Sequence, residues 1–275
     1  MLKSTLFASL LVLTPSLALA APHNSPSSAA ASPPAEKHNS KTQTAHGKTQ
    51  GHGWSYIGEN GPEHWGEYDP EAVACKVGNQ QSPIDLRQPI NAFVSTPQID
   101  WHQVHKAELV NNGHTLQVNL QNAGGIVHGD KLYKLIQFHF HTPSEHTIDG
   151  RHFPMEAHFV HQAKDGTLAV IGVMFAEGAN NPRLDPIWWA APSMEGKAAV
   201  SFELAPTDLL PKNHAAMRYQ GSLTTPPCSE IVDWTVLTTP INASKSQITV
   251  FKSMFGDNAR PIQPVNRRFV LATPQ

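Results

Sequence analysis

The chain has 275 residues, with 20 basic and 22 acidic side chains, so its formal net charge is −2 when its 16 histidines are neutral. Such a balance offers no basic surface for nucleic acid. No apolar run reaches the roughly 20 residues that a membrane-spanning helix needs.

Residues 1–20 read as a secretory signal peptide, with Lys3, an apolar run from Leu6 to Leu13, and Ala18-Leu19-Ala20 as a small-x-small cleavage site. Thr14, Pro15 and Ser16 stop the run short of a membrane anchor. The mature chain is expected to start near Ala21 without Lys3, leaving 19 basic against 22 acidic residues, or −3. It is expected to be exported, to the periplasm or beyond, with no membrane span in the mature form. Residues 21–53 contain no Leu, Ile, Val, Met or aromatic side chain, cannot build a core, and read as a disordered linker rich in His, Pro, Ser and Ala. Its His23, His38, His46 and His52 support a second reading, zinc collection outside the cytoplasm. Composition does not decide between them.

From Trp54 to residue 275 the composition is globular throughout, a length that one β-rich domain can fill. Short apolar runs between Gly, Pro, Asn and Asp predict strands over 109–120, 131–141, 155–162, 168–175, 200–204 and 231–238. The fold class is therefore mainly β (α+β), with few short helices. The clearest helix starts after Ser244, whose hydroxyl can cap with Gln247 at the third helical position. It carries Ile248, Phe251 and Phe255 on one face and stops at Gly256. Cys75 and Cys228, the two cysteines, are expected to pair in an exported protein. A loop that long is worth on the order of 5 kcal/mol under the chain-entropy model.

The chemistry concentrates in Gln137-Phe138-His139-Phe140-His141 and Glu156-Ala157-His158-Phe159-Val160. Alternation along a strand puts Gln137, His139 and His141 on one face, and Glu156, His158 and Val160 on one face of the next. Asp149-Gly150 supplies a turn between them. If the strands pair antiparallel, His158 completes a three-histidine cluster. Three neutral imidazoles with no fourth protein ligand are the pattern of a catalytic zinc site. Gln137 and Glu156 each sit two places before a histidine, where a partner that fixes the ring tautomer belongs.

These two segments, with Ser144-Glu145-His146-Thr147 and Leu223-Thr224-Thr225-Pro226-Pro227-Cys228-Ser229-Glu230, resemble the α-class carbonic anhydrases. The likeness extends to Gly61-Pro62-Glu63-His64-Trp65, Gln81-Ser82-Pro83-Ile84-Asp85, Asn112-Gly113-His114 and Asn258-Ala259-Arg260-Pro261-Ile262-Gln263-Pro264. It covers essentially all of 54–270. The resemblance implies a single domain on a large twisted, mostly antiparallel central β-sheet, with Zn2+ at the floor of a conical cleft held by His139, His141 and His158. It implies Gln137, Glu156 and the main-chain carbonyl of Asn258 as partners behind those ligands. The implied reaction is reversible hydration of carbon dioxide to bicarbonate and a proton, by attack of zinc-bound hydroxide. Thr224 would accept the hydroxide's hydrogen and donate its own to Glu145, and Thr225 would assist bicarbonate. Val160, Val170, Leu223, Val232 and Trp234 would form the apolar wall for carbon dioxide. His114 would export the proton, with Tyr56, Asn112 and Gln117 holding relay waters; Gln117 departs from the side chain common among relatives.

His146 is expected to be structural, and His102, His105, His128, His152, His161 and His214 match no ligand position. Two rivals stand. Residues 139–145 also fit the HxH-x3-E spacing of metal-binding cupins, but Tyr133 occupies a position usually glycine there and 223–230 would have no role. The other is a catalytically silent zinc-binding or recognition protein of the same fold, although such relatives typically lose a ligand histidine and this chain keeps all three. The sequence leaves a homodimer open.

Overall fold

The computed structural model describes residues 53–92 and 95–273. The expected signal peptide, and the linker with its four histidines, lie outside the described residues except for Gly53.

In chain order the strands are β1 (Asp85–Leu86), β2 (Ile90–Asn91), β3 (Gln98–Trp101), β4 (Ala107–Asn111), β5 (Leu116–Leu120), β6 (Gly124–His128), β7 (Lys131–His141) and β8 (Thr147–Ile148). There follow β9 (Arg151–His152), β10 (Met155–Ala163), β11 (Leu168–Glu177), β12 (Gly196–Val200), β13 (Ala216–Gly221), β14 (Val232–Ala243) and β15 (Leu271–Ala272). Four short α-helices, α1 (Trp65–Tyr68), α2 (Ala74–Val77), α3 (Asp185–Ala190) and α4 (Lys245–Phe255), complete the described regular structure beside three 3₁₀ turns. Twelve strands form one sheet, ordered β12-β4-β5-β7-β10-β11-β14-β13-β15-β2, with β6 on β7 and β3 on β6; β1, β8 and β9 form a small second sheet. Most pairings are antiparallel, but β11 runs parallel to β14. A sheet this wide takes a right-handed twist.

Helix α4 forms as its signals predict. Ser244 and Gln247 make a reciprocal capping box, and Gly256 ends the helix at φ 69°, a region that glycine enters freely. Strands β7, β10, β11 and β14 lie on the expected runs, β14 extending five residues further.

Two expectations need correction. The run 109–120 is not one strand but the hairpin β4–β5. Gly113 adopts φ 82°, and the side-chain oxygens of Asn111 and Asn112 accept the N–H groups of Gly113, His114 and Thr115, which turns the chain. The run 200–204 is displaced to β12, because the free edge of β4 pairs with 196–200. Only a bridge between Leu204 and Val104 remains of it.

The β7–β10 pair divides the interior. Phe138, Phe140, Ala157 and Phe159 are fully buried in the larger core, with Trp101, Phe175, Trp188 and Phe251. A smaller cluster of Val160, Val170, Val232 and Trp234 lies with the opposite face, where the polar residues collect.

Candidate metal centre

The register of the central pair builds the site. Glu156 stands opposite His141, His158 opposite His139, and Val160 opposite Gln137. Directly paired residues of antiparallel strands share a face, so the three imidazoles meet.

A carbonyl oxygen only accepts, so a ring nitrogen facing one must carry the hydrogen. His139 Nδ1–H donates to Gln137 Oε1 at 2.9 Å, and His141 Nδ1–H to the main-chain oxygen of Asn258 at 2.8 Å. Each ring thereby keeps its Nε2 lone pair for something else. His158 turns Nε2 toward Glu156 Oε1, 2.9 Å away but outside hydrogen-bond alignment. One nitrogen from each ring lies within 4.8 Å of the other two. His141 Nε2 is buried with no hydrogen-bond partner, an expensive arrangement unless something coordinates it. Three converging imidazole nitrogens suit Zn2+ with one position to spare, so the residues present fit that metal.

The electrostatics agree for two of the rings. Burial, then the neighbouring imidazoles, hold His139 well below the usual histidine range, and burial lowers His141 against the pull of Glu145. His158 goes the other way. Burial disfavours its charged form, but the Glu156 carboxylate outweighs that and raises it. Glu156 is itself fully buried, which pushes its carboxyl up, yet His146 and His158 more than compensate and hold it well below the carboxylate range.

Behind the three imidazoles His146 is fully buried. Its N–H and Nδ1–H donate to the two oxygens of Glu156 at 2.9 and 2.8 Å, and Nε2 lies 2.6 Å from the Tyr219 hydroxyl, which donates to Ser82 Oγ. His161 is satisfied as well, accepting from Trp101 Nε1–H at 3.0 Å and donating to Ala169 O at 3.1 Å. His152 Nδ1–H caps Ser144 O.

A pocket of about 150 Å³ opens over the three histidines. Val160, Val170, Leu223, Trp234, Thr224 and Thr225 line it, with Tyr56, Asn112, His114, Gln117 and Gln137 on the more polar side. Val232 does not. It is buried in the cluster behind, and Trp234, two residues on and on the same strand face, takes the wall position instead. Leu223, Thr224 and Thr225 sit on a loop tied by the Cys75–Cys228 disulfide and by Gln81 Nε2–H donating to Cys228 O.

Glu145 is fully buried beside the three imidazoles. Its Oε1 accepts from Arg260 N–H at 2.9 Å. The expected bond from Thr224 is not formed; Oε2 accepts no hydrogen bond and lies 3.5 Å from His141 Nε2 and 3.8 Å from His158 Nδ1, the nearest ring nitrogens. Burial, then the Glu145 carboxylate, raise the Tyr56 phenol well above its usual value. Asn112 has less to offer a water chain than its side chain suggests, because its Oδ1 is engaged in the turn.

Trp54, like Thr115, is a pocket residue that sequence reasoning missed. Its indole stacks face to face on His114, with centroids 3.7 Å apart and planes 10° apart. The composition change marks Trp54 as the start of the domain and says nothing of that contact. Arg260 was also missed as a residue of the site; its guanidinium runs away from the pocket to Gln81 Oε1, Ser82 O and Cys75 O.

Residues 60–274 match the family described as eukaryotic-type carbonic anhydrase. The chain belongs to that family, the α-carbonic anhydrases. The carbonic anhydrase of Nostoc sp. is 44% identical over 224 residues, covering 79% of this chain and 85% of the relative. A solved α-carbonic anhydrase from Thermovibrio ammonificans, in complex with sulfanilamide, is 45% identical with a TM-score of 0.76, and 98% of it is covered by 79% of this chain. A dioscorin complexed with ascorbate is also similar, at 35% identity and TM-score 0.75, covering 81% of this chain and 98% of that one. As a carbonic anhydrase the chain is an enzyme, and its substrates are carbon dioxide and bicarbonate. Among the described residues no helix is long and apolar enough to cross a membrane.

Proposed function

We propose that this carbonic anhydrase hydrates carbon dioxide with Zn2+ held by His139, His141 and His158. The observation that carries the reading is the convergence of three imidazoles against an apolar wall, one nitrogen of each within 4.8 Å of the others. When bound, the metal supplies a Lewis acid that brings the pKa of water down to about 7, a value for which this enzyme family is itself the reference case.

The chain's own residues do the rest. Gln137 and the Asn258 carbonyl fix two ligand tautomers, and Glu156 backs the third. Val160, Val170, Leu223 and Trp234 offer uncharged surface to an uncharged, nonpolar substrate. Thr224 and Glu145 would aim the nucleophile through a donor bond from the threonine hydroxyl to Glu145 Oε2, the oxygen left without a partner. Thr225 would hold bicarbonate. His114 would pass the proton from the cleft to buffer, since an imidazole can both accept and release one. Tyr56, kept protonated by its raised phenol, can act there only as a neutral hydrogen-bonding group. The signal peptide and linker of residues 1–53 would deliver this domain outside the cytoplasm.

The test is the carbon dioxide hydration rate of the oxidised, signal-free protein before zinc removal, after it, and after zinc is restored. Activity should vanish and return with the metal. A folded, zinc-loaded protein without activity would overturn the reading in favour of a binding role. His114→Ala should slow turnover in dilute buffer on the order of a hundredfold, with added imidazole restoring it. An unchanged rate in dilute buffer would remove His114 from the proton path.

A further inference from the structure

One polar side chain of the cleft wall, which the family resemblance implies holds a relay water, is itself held from outside the cleft. Gln117 lines the pocket and stands opposite His139 across the β5–β7 pairing. Its Nε2 donates to Asn119 Oδ1 at 2.6 Å. Asn119 Nδ2 in turn donates to Glu108 Oε1 at 3.0 Å, and that same oxygen accepts from Lys197 Nζ at 3.1 Å. The chain of bonds runs across β5, β4 and β12 on one face of the sheet, since Glu108 is the direct partner of Asn119.

We propose that Glu108 is a positioning residue which, through Asn119, fixes the direction in which the Gln117 amide faces the cleft. The argument is one of donors and acceptors. A side-chain amide has two ends of nearly the same shape, so nothing steric distinguishes its two orientations. A carboxylate only accepts. Glu108 therefore demands the NH₂ end of Asn119, which leaves Asn119 Oδ1 toward β5 and demands the NH₂ end of Gln117. The Gln117 oxygen and its second amide hydrogen remain for the cleft. Were the Asn119 amide reversed, two acceptors would meet at Glu108 and two donors at Gln117. Lys197 accompanies the carboxylate without setting any direction, because a carboxylate accepts with or without it.

The consequence for the enzyme rests on the proposed export of protons through His114. Waters between the histidine floor and His114 must order against the polar wall, and an amide of fixed direction gives them one pattern instead of two. Glu108 lies on β4, outside the pocket lining, so its loss should touch proton export and leave the conversion of carbon dioxide alone.

The experiment compares zinc-loaded wild type with Glu108→Gln, Gln117→Leu, the double variant, Lys197→Met and His114→Ala. Stopped-flow hydration in dilute buffer gives kcat, which reports proton export, and kcat/KM, which reports the chemical step. Glu108→Gln should lower kcat about fivefold, the scale of one net hydrogen bond, with kcat/KM unchanged and kcat recovered in concentrated imidazole. In the Gln117→Leu background Glu108→Gln should cost nothing further, because the two act as a unit. Lys197→Met should stay within about twofold of wild type, the scale of an exposed ion pair. Additive losses, an equal loss in Lys197→Met, or a fall in kcat/KM would overturn the role of Glu108. A strong loss in His114→Ala with none in Glu108→Gln would do so while sparing the proton-export reading. No loss in His114→Ala would overturn both.

Discussion

The two faces of the β7–β10 pair are made of alternate residues of the same two strands, yet they obey opposite rules. On one face Phe138, Phe140 and Phe159 are fully buried among aromatic neighbours, and their stabilisation comes from area removed from water. On the other, His141, Glu156 and His158 are equally buried, but each carries polar atoms that burial penalises. Burial alone separates nothing here. What distinguishes the faces is whether each group is satisfied by the protein: the phenylalanines need no partner, His146 and His161 have theirs, and His141 Nε2 and Glu145 Oε2 have none.

Adjacent residues 158 and 159 give the sharpest test of that contrast. His158→Ala should abolish hydration activity and zinc binding while leaving a folded protein. Phe159→Ala should keep the metal stoichiometry and lose about 3–5 kcal/mol of unfolding free energy. Zinc titration and urea unfolding of both variants measure this, and full zinc binding by His158→Ala would erase the distinction.

A second test uses His161, the buried histidine whose partners are complete. Burial depresses its pKa to about 4, from about 6.5 in the unfolded chain. Its contribution is therefore whole above pH 6.5 and is lost as pH falls toward 4, a change of about 3 kcal/mol by linkage. Unfolding curves at pH 7 and pH 4.5 should reveal that loss in the wild type and a shallower one in His161→Gln. Equal slopes would mean that His161 does not drive it.

The smallest effect is expected at Gln137, which touches the centre through another residue. Gln137→Leu frees His139 to adopt the other tautomer and should weaken zinc binding about 10–100-fold, the usual cost of losing such a partner. Competition against a chelator reads this directly, and unchanged affinity would show that the tautomer needs no help.

The residues of the two central strands were readable in advance because alternation is local: Gln137, His139 and His141 declare a common face within five residues. The β4–β5 hairpin was misread although Asn112-Gly113 was in plain view, because the apolar residues flanking it alternate well enough to pass for one strand. Strand β12 was displaced for a non-local reason, since its position is set by the edge of β4 and not by its own pattern. The Asn258 carbonyl has no side-chain signature at all. It entered through family resemblance, and the structure supplies the physical link, a bond spanning 117 positions of sequence. Trp54 lies at the other extreme, a conspicuous residue whose stacking on His114 no local pattern announces.

Asn258 also has a mechanical meaning. Its carbonyl holds His141, its side-chain oxygen accepts from Thr142 N–H, and its amide donates to the main-chain oxygens of Phe140 and His114. One residue thus serves as a common datum for the strand that carries His139 and His141 and the turn that carries His114. A shift of the 256–260 segment would therefore pull on His141 and on the His114 turn alike. The site behaves as a jig whose two working points are clamped to a single post.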